Sequence, residues 1–175
     1  DAGATGNQII EKDLNLILTR KLEKELVSRG ATVYLTREDD KDLSTTTVNR
    51  KRSDLYNRAK YINKISPNMY ISIHLNSVTN SSWRGLQVFY TTKSEENKLI
   101  AETITNHLRK NMSNVREIKK DNTYYMYKHI TSPGVLIEAG FISNSNDSYL
   151  LRNKEYQDKL ISSISDSIEI YFQKK

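Results

Sequence analysis

The sequence contains no cysteine, and only two prolines and six glycines among its 175 residues. Without cysteine there is no disulfide framework and no thiolate metal site, so any bound metal has to be held by histidine and carboxylate. No low-complexity linker interrupts the chain, whose length suits one domain with a sizeable core. No apolar run approaches the roughly 18 residues that a membrane-spanning helix needs. The opening DAGATGNQIIEKD has neither a basic n-region nor an apolar h-region and is not a signal peptide. That leaves export open, because a signal is removed from the mature chain. One-signed charge runs are also missing. The net charge is +6, but basic residues alternate with acidic ones, as in Lys21, Glu23, Lys24 and Glu25. With no Arg-rich tract and no aromatic platform, nucleic acid is not expected as a partner, whereas an anionic polymer fits the charge equally well.

What the chain does contain is an alternation of helical and strand periods, the pattern of a single α/β domain. We expect a mostly parallel, twisted sheet with helices on both faces. Glu11 to Arg29 carries Leu14, Ile17, Leu18, Leu22 and Leu26 as one stripe and stops at Gly30. Thr32 to Thr36 (TVYLT) reads as a strand and Glu38 to Thr47 as a polar loop. Val48 to Ile65 reads as a basic helix facing inward through Leu55, Ala59 and Ile62, ended by Pro67. Met69 to His74 reads as a buried strand, Val78 to Arg84 as a loop with the only Trp, and Gly85 to Thr91 as a further strand. Ser94 to Met112 is a helix striped by Leu99, Ile100, Ile104 and Leu108. An irregular stretch, Asp121 to Ile130, leads to Pro133 and the strand Val135 to Ala139. Lys154 to Phe172 closes the chain as a helix with Tyr156, Leu160, Ile161, Ile164, Ile168, Tyr171 and Phe172 inside. Folds of this class open on a central strand, yet here a glycine loop, Asp1 to Gly6, leads straight into a helix. We therefore expect the first strand to lie ahead of Asp1.

Of three histidines, only His74 stands at the exit of a buried strand, where open α/β sheets build their sites. If the strands are parallel, His74 meets Glu138, near the C-terminal end of VLIEAG, and Glu11, which opens the first helix. Imidazole plus carboxylate is a usual donor mix for catalytic zinc, and a second carboxylate beside the open position can move the proton of a water. Glu138 interrupts an apolar strand, and a buried carboxylate is costly unless partnered or used. Each residue also has an ordinary structural account. Glu11 suits the positive end of its helix, His74 suits a hydrogen-bonded core, and Glu138 suits an ion pair with Arg or Lys. His107 reads as a surface residue. His129, beside Lys128, reads as an exposed loop side chain, with substrate contact in the cleft as the alternative.

Several motifs in order carry a resemblance. They are EKDL (Glu11–Leu14), LTR (Leu35–Arg37), Leu55 and Arg58 with Asn63, SIHLN (Ser72–Asn76) and LIEAGFISN (Leu136–Asn144). Together they resemble the zinc-dependent N-acetylmuramoyl-L-alanine amidases of type 3, over essentially the whole chain. The resemblance implies a peptidoglycan hydrolase that cleaves the amide between N-acetylmuramic acid and L-alanine of the stem peptide. It implies zinc held by Glu11 and His74, Glu138 as the catalytic base and acid, Asn76 beside the site, and a helix motif, Arg58 and Asn63, of structural role. The family's remaining ligand, a histidine, falls ahead of Asp1. On that reading residues 1–175 are the catalytic domain, incomplete at the N-terminus, and by themselves hold zinc weakly and lack full activity. The resemblance further implies action outside the cytoplasm, at the cell wall or spore cortex, and, for a domain with no wall-binding repeat, an accessory or activator protein. Minimal domains of this kind include sporulation and germination amidases acting on cortex peptidoglycan. The alternative is a metal-poor, non-catalytic wall-binding or regulatory relative of the same fold.

Overall fold

The computed structural model describes residues 1–175. The glycine loop is not plain loop: it contains a miniature antiparallel hairpin, β1 (Thr5–Gly6) and β2 (Ile9–Ile10). Asn7 and Gln8 turn it with φ of 47° and 66°, the left-handed pair that tight hairpins need. Asn7 Nδ2 donates to the Ile142 carbonyl at 2.8 Å, which docks the hairpin tip on the rest of the fold. The chain then enters α1 (Glu11–Ser28). Next come α2 (Arg50–Ile65), β3 (Tyr70–Asn76), β4 (Gln87–Tyr90), α3 (Glu95–Asn111) and β5 (Lys119–Lys120). The chain ends with α4 (Tyr125–His129), β6 (Gly134–Phe141), α5 (Ser145–Arg152) and α6 (Lys154–Gln173). No helix is long and apolar enough to cross a membrane.

The main sheet has the order β3-β6-β4-β5. β3 pairs parallel with β6, β4 pairs parallel with β5, and β4 runs antiparallel to β6, so the sheet is mixed. Helices cover both faces. Side chains alternate across a strand, and here the alternation separates two cores. Ile73 and Leu75 of β3, with Val135, Ile137 and Ala139 of β6, join Leu18 and Leu22 of α1, Ile100 and Ile104 of α3, and Leu160 and Ile164 of α6. Tyr70 and Leu136 face the other way, onto Ala59 and Ile62 of α2 and Met126 and Tyr127 of α4. His74 lies an even number of residues from Tyr70, and Glu138 from Leu136, so both belong to this second, smaller face.

Several helical stripes are narrower than their sequence pattern. On α1, Leu14, Leu18 and Leu22 are buried, but Ile17 is exposed. On α3, Leu99 is exposed, and the buried face runs instead through Asn97, Ile100, Ala101, Ile104, Thr105 and Leu108. Phe172 of α6 is exposed as well. A helix touching one neighbour needs a stripe only about 100° wide, and apolar residues on its margin stay in solvent. The irregular stretch before Pro133 contains α4, and the segment after Phe141 forms α5, capped by Asn144, whose side chain accepts from the amides of Asn146 and Asp147 at 3.0 and 3.1 Å.

Thr32 to Thr36 is a correction: it forms no strand, and Tyr34 within it is exposed. A strand requires a ladder partner, and none lies beside it. β3 is an edge strand, and its outer edge borders a cavity of about 1370 Å³ that Thr32 to Arg37, α1 and α2 also line.

Candidate active site

The parallel register sets His74 directly opposite Glu138. Immediately beyond this pair the register slips: Asn76 faces Phe141, so β6 carries one more residue than β3 over the same span. Such bulges re-aim side chains at the ends of strands. On its other side Glu138 faces Gln87 of β4, but Gln87 turns away and donates to the Glu117 carbonyl at 2.9 Å.

Glu11 arrives from the hairpin. As the first residue of α1 it reaches the end of β3, where its Oε1 lies 3.0 Å from His74 Nδ1. The amides of Ala4 and Leu75 donate to the same carboxylate at 2.8 and 3.3 Å, and Asn15 Nδ2 at 3.3 Å. Burial opposes its charge, but the His74 contact and these donors outweigh burial and hold its pKa at about 2. Gly3, at φ +69°, passes so close that a Cβ there would lie 2.6 Å from Glu11 Oε2. The imidazole is fixed at its second nitrogen by Ser72 Oγ, 3.1 Å from Nε2. The ring of Tyr124 meets it edge-on, with centroids 6.0 Å apart at 73°.

Glu138 is different. It is largely buried, and its Oε2 is sealed from solvent with no hydrogen-bond partner. The structural account of Glu138 as a partnered ion therefore fails. Burial pushes its pKa up to about 7; the neighbouring His74 pulls it down and Glu11 pushes it up again. The two carboxylates thus lie far apart in proton affinity, the pattern that separates a fixed anion from a proton carrier.

Glu11, His74, Asn76 and Glu138 line one cavity with Arg58 and Tyr124. Arg58 is engaged, donating from Nε to Asp54 Oδ2 and from Nη1 to Thr36 Oγ1, both at 2.8 Å. Asn63 is a latch. Its Nδ2 donates to the His129 carbonyl at 2.7 Å, and its Oδ1 accepts from the Thr131 amide at 2.9 Å, joining α2 to the turn after α4. The structure does not bring His129 into the cavity: its ring is exposed and packs against Tyr125 and Tyr56, at 4.8 and 5.7 Å between centroids. His107 lies with Asn111 and Asp166, between α3 and α6. Tyr124, within the stretch read as irregular, is the cavity residue that sequence reasoning missed. Nothing in its spacing marked it out from ten other tyrosines, since the sequence has 11.

In donor type, Glu11 and His74 fit zinc, because a carboxylate oxygen and an imidazole nitrogen converge beside an unpartnered carboxylate. They number two, and no group of three His, Cys, Asp or Glu gathers anywhere in these residues.

The sequence profile of the N-acetylmuramoyl-L-alanine amidase family matches residues 1–170. A germination-specific N-acetylmuramoyl-L-alanine amidase of Bacillus subtilis is 41% identical over 180 residues, spanning 100% of this chain and 76% of that protein. Among solved structures, the CwlD amidase of Clostridioides difficile, in complex with the GerS lipoprotein, superposes with a TM-score of 0.94. It is 35% identical, over 100% of this chain and 93% of that one. The catalytic domain of CwlV, an N-acetylmuramoyl-L-alanine amidase from Bacillus (Paenibacillus) polymyxa var. colistinus, gives 0.86 at 28% identity, over 100% and 93%. With a profile covering nearly the whole sequence and a relative of this identity, the chain belongs to the N-acetylmuramoyl-L-alanine amidase family.

Proposed function

We propose that the chain hydrolyses the N-acetylmuramoyl–L-alanine amide of peptidoglycan with Glu138 as proton carrier and Glu11 and His74 as metal donors. The observation that carries this reading is the unpartnered carboxylate of Glu138, on an apolar strand directly across from His74. Glu11 and His74 would hold zinc together with a further donor, which the family resemblance implies is a histidine. When bound there, zinc supplies Lewis acidity, lowering the pKa of water and polarising the scissile carbonyl.

The remaining work falls to the chain. Glu138 takes a proton from the attacking water as oxygen bonds to the carbonyl carbon. It then returns that proton to the alanine nitrogen as the C–N bond breaks. Both transfers need a group that gains and loses a proton with similar ease, and the burial that raises the Glu138 pKa moves it toward that need. Glu11 stays ionised throughout, since its pKa is held at about 2. Ser72 holds the imidazole of His74 at Nε2, which orients the ring while leaving Nδ1 on the Glu11 side. Asn76 lines the same cavity, which supports its assignment as a contact to the sugar or the peptide.

The germination-specific name of the B. subtilis relative and the C. difficile neighbour support a setting at the spore wall, outside the cytoplasm. The lipoprotein bound to that neighbour supports an accessory partner for this chain as well. Membership of an amidase family and the retained Glu138 favour the enzyme over a non-catalytic wall-binding relative.

The test is Glu138→Gln in the full-length, zinc-loaded protein, assayed by release of stem peptides from purified peptidoglycan. Hydrolysis should fall by at least about 10²-fold, in the range of general acid–base contributions, with zinc retained. A variant that hydrolyses at the wild-type rate refutes the assignment. Faster release from spore-cortex than from vegetative peptidoglycan would support the spore setting, and the reverse order would refute it.

A further inference from the structure

Tyr124 stands immediately before α4, at its N-cap, in extended conformation. Its place follows from packing on the smaller face of the sheet. Met126 and Tyr127 are the buried residues of α4 and anchor it against Ala59, Ile62 and Leu136, which turns the preceding residue toward the end of β3. The Tyr124 ring is then held between two others, 5.1 Å from Tyr127 and 6.0 Å from His74, centroid to centroid. Two aromatic contacts leave the ring little freedom.

The hydroxyl group is less easily explained. It makes no hydrogen bond within the protein and is not among the polar atoms sealed from solvent, and Tyr124 lines the cavity shared by Glu11, His74 and Glu138. A ring used only for packing has no need of a hydroxyl, and this one is left open to a partner from outside the protein. Glu138, whose carboxyl has no hydrogen-bond partner at Oε2, lines the same cavity, and the phenol does not bond to it. A free donor and a free acceptor on one cavity wall are the two groups a hydrolytic site needs: one for the proton of water, one for the oxygen that becomes charged.

We propose that the Tyr124 hydroxyl donates a hydrogen bond to the carbonyl oxygen of the scissile amide and stabilises the charge which that oxygen gains when water adds. This rests on the amidase reading of the Glu11–His74–Glu138 cavity. The bookkeeping of the step is unchanged by it. Water's proton goes to Glu138, and Tyr124 keeps its own proton from start to finish. A phenol ordinarily gives up its proton only at about pH 10, so the donor is present at neutral pH. A fixed donor of this kind strengthens as charge develops and therefore acts on the transition state more than on bound substrate.

The experiment compares Tyr124→Phe, Tyr124→Leu and Glu138→Gln in the full-length, zinc-loaded enzyme, with a soluble muropeptide as substrate. Removing one oxyanion donor costs about 10²–10³ in kcat where it acts with few others. With zinc as a second electrophile, Tyr124→Phe should lower kcat about 10- to 100-fold, with KM within about twofold and thermal midpoint and zinc content unchanged. A phosphinate analogue of the scissile amide mimics the tetrahedral anion. Its dissociation constant, measured on the folded fraction, should rise by the same factor as kcat falls. A merely structural tyrosine would leave that constant unmoved. Wild-type kcat in Tyr124→Phe, a loss confined to KM, or a defect that appears only in Tyr124→Leu each overturns the proposal. Wild-type activity in Glu138→Gln would instead sink the site reading beneath it, so the two failures are distinguishable.

Discussion

Replacing Glu138 by glutamine should stabilise the metal-free protein above neutral pH while removing its activity. In the fold the carboxyl has its pKa raised from 4.5 to about 7, chiefly by burial. Between those two values the unfolded chain has given up its proton and the folded chain has not, so stability falls as pH rises from 4.5 to about 7 and is flat beyond. Each unit of pKa is worth about 1.4 kcal/mol, so ionising Glu138 costs the folded state about 3 kcal/mol. Glutamine cannot ionise, but its amide nitrogen inherits a pocket where Oε2 already lacks a partner, at a pH-independent cost of about 1–2 kcal/mol. The variant should therefore be slightly less stable than wild type near pH 4.5 and more stable by about 1–2 kcal/mol at pH 8. For a chain of this size that is a rise of roughly 2–8 °C in thermal midpoint. Thermal or urea unfolding in a chelating buffer from pH 4 to 9 measures it, read as the difference between the two proteins. A difference that does not change with pH refutes the idea that Glu138 is held as an unpaired buried acid.

Glu11 makes the opposite prediction in an adjoining window. Its pKa is lowered from 4.5 to about 2, so it contributes stability that is fully present above 4.5 and is lost as pH falls toward 2. Acid unfolding of Glu11→Gln should lack that part of the transition, and an unchanged acid limb would refute it. Gly3→Ala should bring a Cβ to within 2.6 Å of Glu11 Oε2 at a φ of +69°, displacing the carboxylate. We expect zinc affinity to fall about tenfold or more and stability by about 1 kcal/mol, since alanine is strained at positive φ. Isothermal titration with zinc measures the first, and wild-type affinity would count against the placement of Glu11.

Much of the architecture was readable from side-chain period. The helices α1, α2, α3 and α6 and the strands β3 and β6 carry continuous apolar patterns, and each lies where its pattern begins and ends to within a few residues. The weaker elements were not readable. β5 is two exposed lysines, and α4 is a single turn whose apolar residues follow no long repeat. α5 had a capping signal in Asn144 and Asp147, but too few buried positions to show a stripe. Thr32 to Thr36 had the composition of a strand and became none, because strand propensity reports fit to a neighbour rather than a preference of the segment alone.

For the site, residue chemistry narrowed the choice before any geometry existed. With no cysteine and three histidines, one imidazole at a strand exit and one glutamate in an apolar run were the natural candidates for a site. Sequence alone thus determined the family, the chemical types available and the strand ends that carry them, since all three follow from local order along the chain. Only the tertiary structure decided that His74 and Glu138 are opposite one another, through a parallel register which, slipped by one residue, would turn Glu138 to the other face. It also separated the two glutamates by about five units of proton affinity, wrapping Glu11 in donors and leaving Glu138 with none. Residue type is the same in both cases; what differs is which groups from distant parts of the chain are packed around each carboxylate.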